Sequence, residues 1–198
     1  MDKPKMSGSA IFMYTVIALC ITVAAVCFAL YYTGPLPHGA VLWTGVTTFT
    51  ILYHFWGRIL LGKLTACFPI HYRHWWFKER FFEQKLYRIL RVRKWKEKVL
   101  TFDPAAFDLQ LHTYDELACT MSKAETDHWI NELLSLTTLL FALLWGQFWI
   151  FFGTAIAAML FDAQFIIVQR YNRPHVLRLM ERIRQKEHKE EAVALKGE

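Results

Sequence analysis

Glu125 and His128 stand three residues apart in the run Lys123-Ala124-Glu125-Thr126-Asp127-His128-Trp129. On a helix that spacing puts both side chains on one face, where the carboxylate can hold one imidazole tautomer while the other ring nitrogen takes a proton. A general base that activates a hydroxyl needs this arrangement. The plainer alternative is that both are polar residues ending a membrane helix, with Trp129 at headgroup level as interfacial tryptophans are. A di-iron centre would need a second Glu-x-x-His and more inward carboxylates. Neither is present, so no metal is expected.

A second pattern, Gln169-Arg170-Tyr171-Asn172-Arg173-Pro174-His175, sets two guanidinium groups and an amide beside a stiffening proline. Arg170 and Arg173 could clamp a phosphate or carboxylate, or simply mark the basic end of a membrane helix. The third pattern, Arg91-Val92-Arg93-Lys94-Trp95-Lys96, is a basic cluster around a tryptophan that suits cofactor phosphates or anionic lipid. Asp162 is a further candidate because a carboxylate inside an apolar stretch is costly to bury. It also lies about two turns before Arg170, near enough to the cytoplasmic end to pair with a basic residue there. His54, His71 and His74 read as interface residues and are assigned no role.

The elements that must position these residues are apolar helices. After Lys5 the next charged residue is Arg58, and a second uncharged run extends from Leu133 to Phe161. A spanning helix takes about 20 mainly apolar residues. The expected fold is therefore an all-α integral membrane protein forming a single domain, with four short transmembrane helices at 10–32, 39–61, 129–146 and 148–168. Turns are expected at Gly34-Pro35-Leu36-Pro37 and at Gly146-Gln147, because proline and glycine interrupt helices. Between the second and third spans, residues 63–127 mix aromatic and basic side chains at helical spacing, which predicts amphipathic helices lying in the interface. Within that region, Ala105 to Thr126 reads as a short amphipathic hairpin or helix. A charged, helix-prone tail occupies 175–198.

The chain carries 23 Lys plus Arg against 17 Asp plus Glu, a net charge of +6 over 198 residues. Lys and Arg gather near Lys3 and Lys5, in the segment from Arg58 to Lys98, and in the tail, whereas the turns at Gly34 and Gly146 have none. An even number of crossings puts all three basic regions on the cytoplasmic side. Such a distribution implies an anionic surface, either lipid headgroups or a phosphorylated ligand. Nucleic acid fits poorly, because the basic segment follows a spanning helix directly. Cys20, Cys27, Cys67 and Cys119 show no pairing motif and are expected to be reduced thiols. The stretch from Ala10 to Tyr32 is too long for a signal-peptide core and is expected to remain in the mature protein.

Taken together, Val92-Arg93-Lys94-Trp95-Lys96, Ala124-Glu125-x-x-His128-Trp129 and Ile167-Val168-Gln169-Arg170-Tyr171-Asn172-Arg173-Pro174 resemble the glycosyl-4,4'-diaponeurosporenoate acyltransferase family, over roughly residues 65 to 180. The resemblance implies a small bacterial enzyme of the cytoplasmic membrane that esterifies a sugar hydroxyl of a glycosylated C30 carotenoid with a fatty acyl group. Both chain termini would then be cytoplasmic. It implies His128 as base and Glu125 as its orienting group. Arg93, Lys94, Trp95, Lys96, Trp129, Gln169, Arg170, Tyr171, Asn172 and Arg173 would bind donor or acceptor. The co-substrate would be an acyl-CoA or acyl-carrier-protein thioester, with no bound cofactor, and the partners would be membrane lipids and an amphiphilic acceptor. The chain has no Gly-x-Ser-x-Gly elbow or comparable cysteine motif, which argues for direct transfer without an acyl-enzyme. Two alternatives stand beside this reading. One is a non-enzymatic lipid-binding scaffold, and the other is an acyltransferase for another lipid or a lipoprotein.

Overall fold

The computed structural model describes residues 8–99 and 103–194. Lys3 and Lys5, on which the orientation expectation partly rests, lie outside them, as does the end of the tail. The described chain is helical, with no strand among these residues. Helix α1 covers Gly8–Tyr32, α2 Gly39–Thr65, α3 Glu83–Ile89, α4 Val92–Trp95, α5 Tyr114–Thr137, α6 Ala142–Trp145 and α7 Phe148–Ala194. Short 3-10 turns at Trp75–Phe77, Lys96–Lys98, Pro104–Phe107 and Thr138–Phe141 join them.

The breaks follow from local chemistry. At the end of α1, the Thr33 and Leu36 amides donate to the Ala29 and Leu30 carbonyls at 3.0 and 3.1 Å, with Gly34 at φ +94°. A left-handed glycine here turns the chain so that the Leu36 amide reaches back six positions to a free carbonyl of the last turn. Pro35 and Pro37 cannot continue the helix, and the His38 amide donates to the Leu36 carbonyl at 2.8 Å before α2 begins. Gly146 and Gln147 are both left-handed, at φ 71° and 55°, and separate α6 from α7. Both turns fall where glycine and proline predict them. The start of α5 is a capping box. The Thr113 amide donates to Glu116 Oε2 at 2.8 Å, and the Glu116 amide donates back to Thr113 Oγ1 at 3.3 Å.

Four crossings were expected, and the structure holds two candidate spans in their place. Only Ala10–Tyr32 and Phe148–Glu190, among the described helices, are long and apolar enough to cross a membrane. Helix α2 forms close to its expected bounds, but Thr50, His54 and Arg58 interrupt its apolar surface. The span expected at 129–146 is not a separate helix. Its first half continues α5 from Tyr114, where Asn131, Glu132 and Ser135 are buried, and its second half breaks into a 3-10 turn and the short α6. The span expected at 148–168 continues without interruption to Ala194. Pro174 lies inside this helix of 47 residues, which at 1.5 Å per residue is about 70 Å long. That exceeds a hydrocarbon core of about 30 Å by more than twofold.

The chain divides into two compact units. Among the described residues, an apolar unit takes 8–68 and 129–162, and a polar unit takes 69–99, 103–128 and 163–194. In the apolar unit the helices close on aromatic rings. Phe28 stacks on Trp145 at 5.9 Å, and Phe141 packs on Phe49 and Tyr53 at 5.4 and 5.1 Å. The outward faces remain apolar: Phe12 is 64% exposed, Leu143 83% and Trp149 77%.

Candidate functional site

In the polar unit, a buried charge network joins α3, α5, α7 and the segment preceding α3. Helix α5 contributes Glu125, fully buried, and α7 contributes Arg170 and Arg173, whose three-residue spacing puts both guanidinium groups on one face. Arg170 Nη1 donates to Glu125 Oε1 at 2.7 Å, and Arg173 Nη1 donates to Glu125 Oε2 at 2.6 Å. Both oxygens of that carboxylate thus accept from an arginine. Arg170 also gives Nε and Nη2 to Glu83 Oε1 at 3.0 and 2.7 Å, and the other oxygen of Glu83 accepts the Tyr87 hydroxyl at 2.8 Å. Burial, reinforced by donation to Glu83, pushes the Tyr87 phenol well above its ordinary value.

Main-chain carbonyls take up most of the remaining donors. Arg173 Nη2 reaches the Phe77 carbonyl at 2.8 Å, and its guanidinium lies over the Phe77 ring at 4.9 Å. Arg170 reaches the Trp76 and Lys78 carbonyls at 3.4 and 3.3 Å. The network holds two cations and two carboxylates, so it is charge-balanced, as buried ions must be. Arg173 Nε is buried with no hydrogen-bond partner.

Two of the patterns identified from sequence meet beside this network. Lys96 Nζ donates to Asn172 Oδ1 at 2.9 Å and lies 5.1 Å from the Tyr171 ring. Tyr171 in turn packs on Tyr87 at 5.4 Å and on His175 at 5.0 Å. Arg93 and Lys94 point to solvent, while Trp95 is half-buried and donates to the Leu90 carbonyl at 2.9 Å. Gln169 is half-buried on α7 and Trp129 is exposed on α5. His128, also half-buried, stacks flat on Phe165 of α7, with ring centres 4.5 Å apart and an interplanar angle of 4°.

The apolar unit holds a second cluster of polar groups, which sequence reasoning largely missed. Asp162 has no exposed surface and pairs with Arg58 Nη2, while Asn131 Nδ2 donates to its other oxygen at 3.5 Å. Glu132 and His54 are each 7% exposed. Both ring nitrogens of His54 and the Nε of Arg58 are buried without a hydrogen-bond partner. Asp162 alone was singled out beforehand. The available signal was polar residues interrupting apolar runs, with His54 and Arg58 one helical turn apart.

Among the described residues, one group of side chains has metal-ligand chemistry. Atoms of His71, Asp115 and Cys119 lie within 4.8 Å of one another, and Asp115 accepts the Tyr72 hydroxyl at 2.6 Å.

A family model described as glycosyl-4,4'-diaponeurosporenoate acyltransferase matches residues 73–182, more than half of the chain. No curated protein matches, and no solved structure matches.

Proposed function

We propose that this chain, which belongs to the glycosyl-4,4'-diaponeurosporenoate acyltransferase family, moves a fatty acyl group from a thioester to a hydroxyl of a glycolipid-like amphiphile in the membrane. The observation that carries this reading is the extent of the match. Residues 73–182 contain His128, the Glu125–Arg170–Arg173–Glu83 network and the Lys96–Asn172 contact. Membrane location is supported by α1 and the first half of α7, which are apolar and expose large hydrophobic side chains. An even number of crossings leaves both termini on one side. The density of Lys and Arg after Val168 makes that side the cytoplasm of a bacterial cell.

In this reading His128 is the general base. Its ring accepts the proton of the acceptor hydroxyl as that oxygen attacks the thioester carbonyl. The tetrahedral intermediate then expels the thiolate, the C–S bond breaks, and the imidazolium returns the proton to sulfur. Stacking on Phe165 fixes the plane of the imidazole. Glu125 holds Arg170 and Arg173, and so fixes α5 against α7, in addition to the orienting part proposed for it toward His128. Because those two arginines are balanced by carboxylates, the phosphates of an acyl-CoA or acyl-carrier-protein donor fall to the exposed Arg93 and Lys94. Asn172, whose Oδ1 accepts from Lys96, gives its amide N–H to the developing oxyanion in this reading.

The test is acyl transfer by the purified full-length chain, reconstituted in liposomes with a radiolabelled long-chain acyl-CoA and an alkyl glucoside acceptor. Labelled ester that depends on the chain supports the reading. Its absence with acyl-CoA and with acyl-carrier-protein donors, together with an unchanged cellular lipid profile when the protein is removed, returns the chain to the scaffold reading.

A further inference from the structure

Within the apolar unit, α2 presents two adjoining faces of opposite character. One face lines an apolar groove of about 490 Å³, bounded by Leu52, Tyr53, Trp56, Gly57, Leu60 and, from α5, Leu134. The neighbouring face carries His54 and Arg58, which meet Asp162 of α7 and the Asn131–Glu132 pair of α5. We infer that this pair of faces is a binding site for a single-chain amphiphile with a neutral, hydroxyl-bearing head, the chain lying in the groove and its hydroxyls bonded to His54 and Arg58.

The chemistry of the head follows from what is unsatisfied. A neutral imidazole offers one donor and one acceptor, and Arg58 Nε offers a further donor. All three atoms are buried without a partner, and leaving such groups unpaired costs about 1–3 kcal/mol each. Each hydroxyl both accepts and donates, so a head with two or more of them can serve both sides of the ring and Arg58 Nε. Charge excludes the alternatives. Arg58 is already matched by Asp162, and Glu132 adds a second carboxylate nearby. An anionic head would therefore meet two acids, and an ammonium head would compete with Arg58. His54 and Arg58 lie outside the segment matched by the family model, so the site adds residues that the match does not supply. It goes beyond the acyltransferase reading, because it assigns a lipid site within the apolar unit by itself.

The test uses the full chain in phosphatidylcholine nanodiscs with ring-15N-labelled histidine, titrated separately with dodecyl glucoside and dodecanoate. His54→Gln identifies the His54 resonances by their disappearance. Dodecyl glucoside is expected to shift them saturably, and to raise the unfolding temperature of the unsubstituted chain. Dodecanoate should need at least tenfold more for the same shift. Leu60→Trp, which narrows the groove from an exposed position, should abolish both responses to the glucoside. If His54→Gln does not fold, the unfolding temperatures of the unsubstituted chain and of Leu60→Trp still decide the matter. A site that holds water only would show no shift with either amphiphile, and equal responses to both would reject the neutral-head argument; either result overturns the proposal. No acyl donor is present, so failed catalysis leaves this result intact. Conversely, ester formation without these shifts would sink the site alone.

Discussion

Glu125 Oε2 accepts from Arg173 Nη1 at 2.6 Å, and the two side chains are 0% and 1% exposed. A pair so completely removed from water persists because each charge is matched and its remaining polar atoms are largely bonded. Its neighbours complete the match: Arg170 bridges Glu125 to Glu83, and the Phe77 carbonyl caps Arg173.

Breaking this pair from one side strands a buried charge. Glu125→Ala should lower stability by about 3–5 kcal/mol, visible as a large drop in the unfolding temperature of the detergent-solubilised chain. If Glu125 acted only on the imidazole of His128, the variant would lose turnover and keep its unfolding temperature, and the positioning role given to it here would be abandoned.

The proposed mechanism makes His128 the base, while the buried pair is built from Glu125 and Arg173. His128→Ala is expected to lower turnover by roughly 100- to 10,000-fold, while the unfolding temperature moves far less than in Glu125→Ala. The comparison is made on one assay with matched protein amounts. Near-normal turnover would remove His128 from the mechanism.

Tyr87 gives the polar unit an alkaline weakness. Burial and donation to Glu83 hold its phenol protonated above its ordinary value of about 10. Its stabilising contribution is complete below that value and is lost as pH rises beyond it, because the unfolded chain ionises there and the folded one does not. In a phenolate absorbance titration one tyrosine should ionise late, and it should be missing in Tyr87→Phe. Phenolate curves that superimpose after correction for one residue would contradict this.

The start of α5 carries an acid-sensitive contact. The Thr113 amide and hydroxyl hold the Glu116 carboxyl below its ordinary range. Its contribution is present above the usual glutamate value of about 4.3 and fades as pH falls through the lower folded value. Thr113→Ala should cost about 1 kcal/mol at neutral pH through loss of the cap, and it should flatten the loss of stability on acidification. Urea unfolding at two pH values measures both effects. An unaltered pH slope would show that the capping box makes no such contribution.

Much of this protein could be read before any coordinates. An uncharged stretch of this length makes α1 an apolar helix, and glycine and proline place its end at Gly34 and the later break at Gly146-Gln147. The motif order from Val92 to Pro174 points to the family whose model matches 73–182. These features are local: each depends on residues close together in the chain, acting through helix periodicity, backbone freedom or a missing amide hydrogen.

Tertiary structure alone decided the rest. Whether 39–61 and 129–146 are lipid-facing spans turns on where Arg58, Asn131 and Glu132 point, and all three point inward, toward Asp162 or its surroundings. That Arg170 is claimed by Glu83, 87 residues earlier, and Arg173 by Glu125 rather than by a substrate phosphate, has no signature in spacing. The physical reason is that burying a charge costs several kcal/mol unless a partner is brought to it. The fold selects that partner by packing distant segments together, so identical residues in the same order could serve as an open anion clamp or as a closed structural lock.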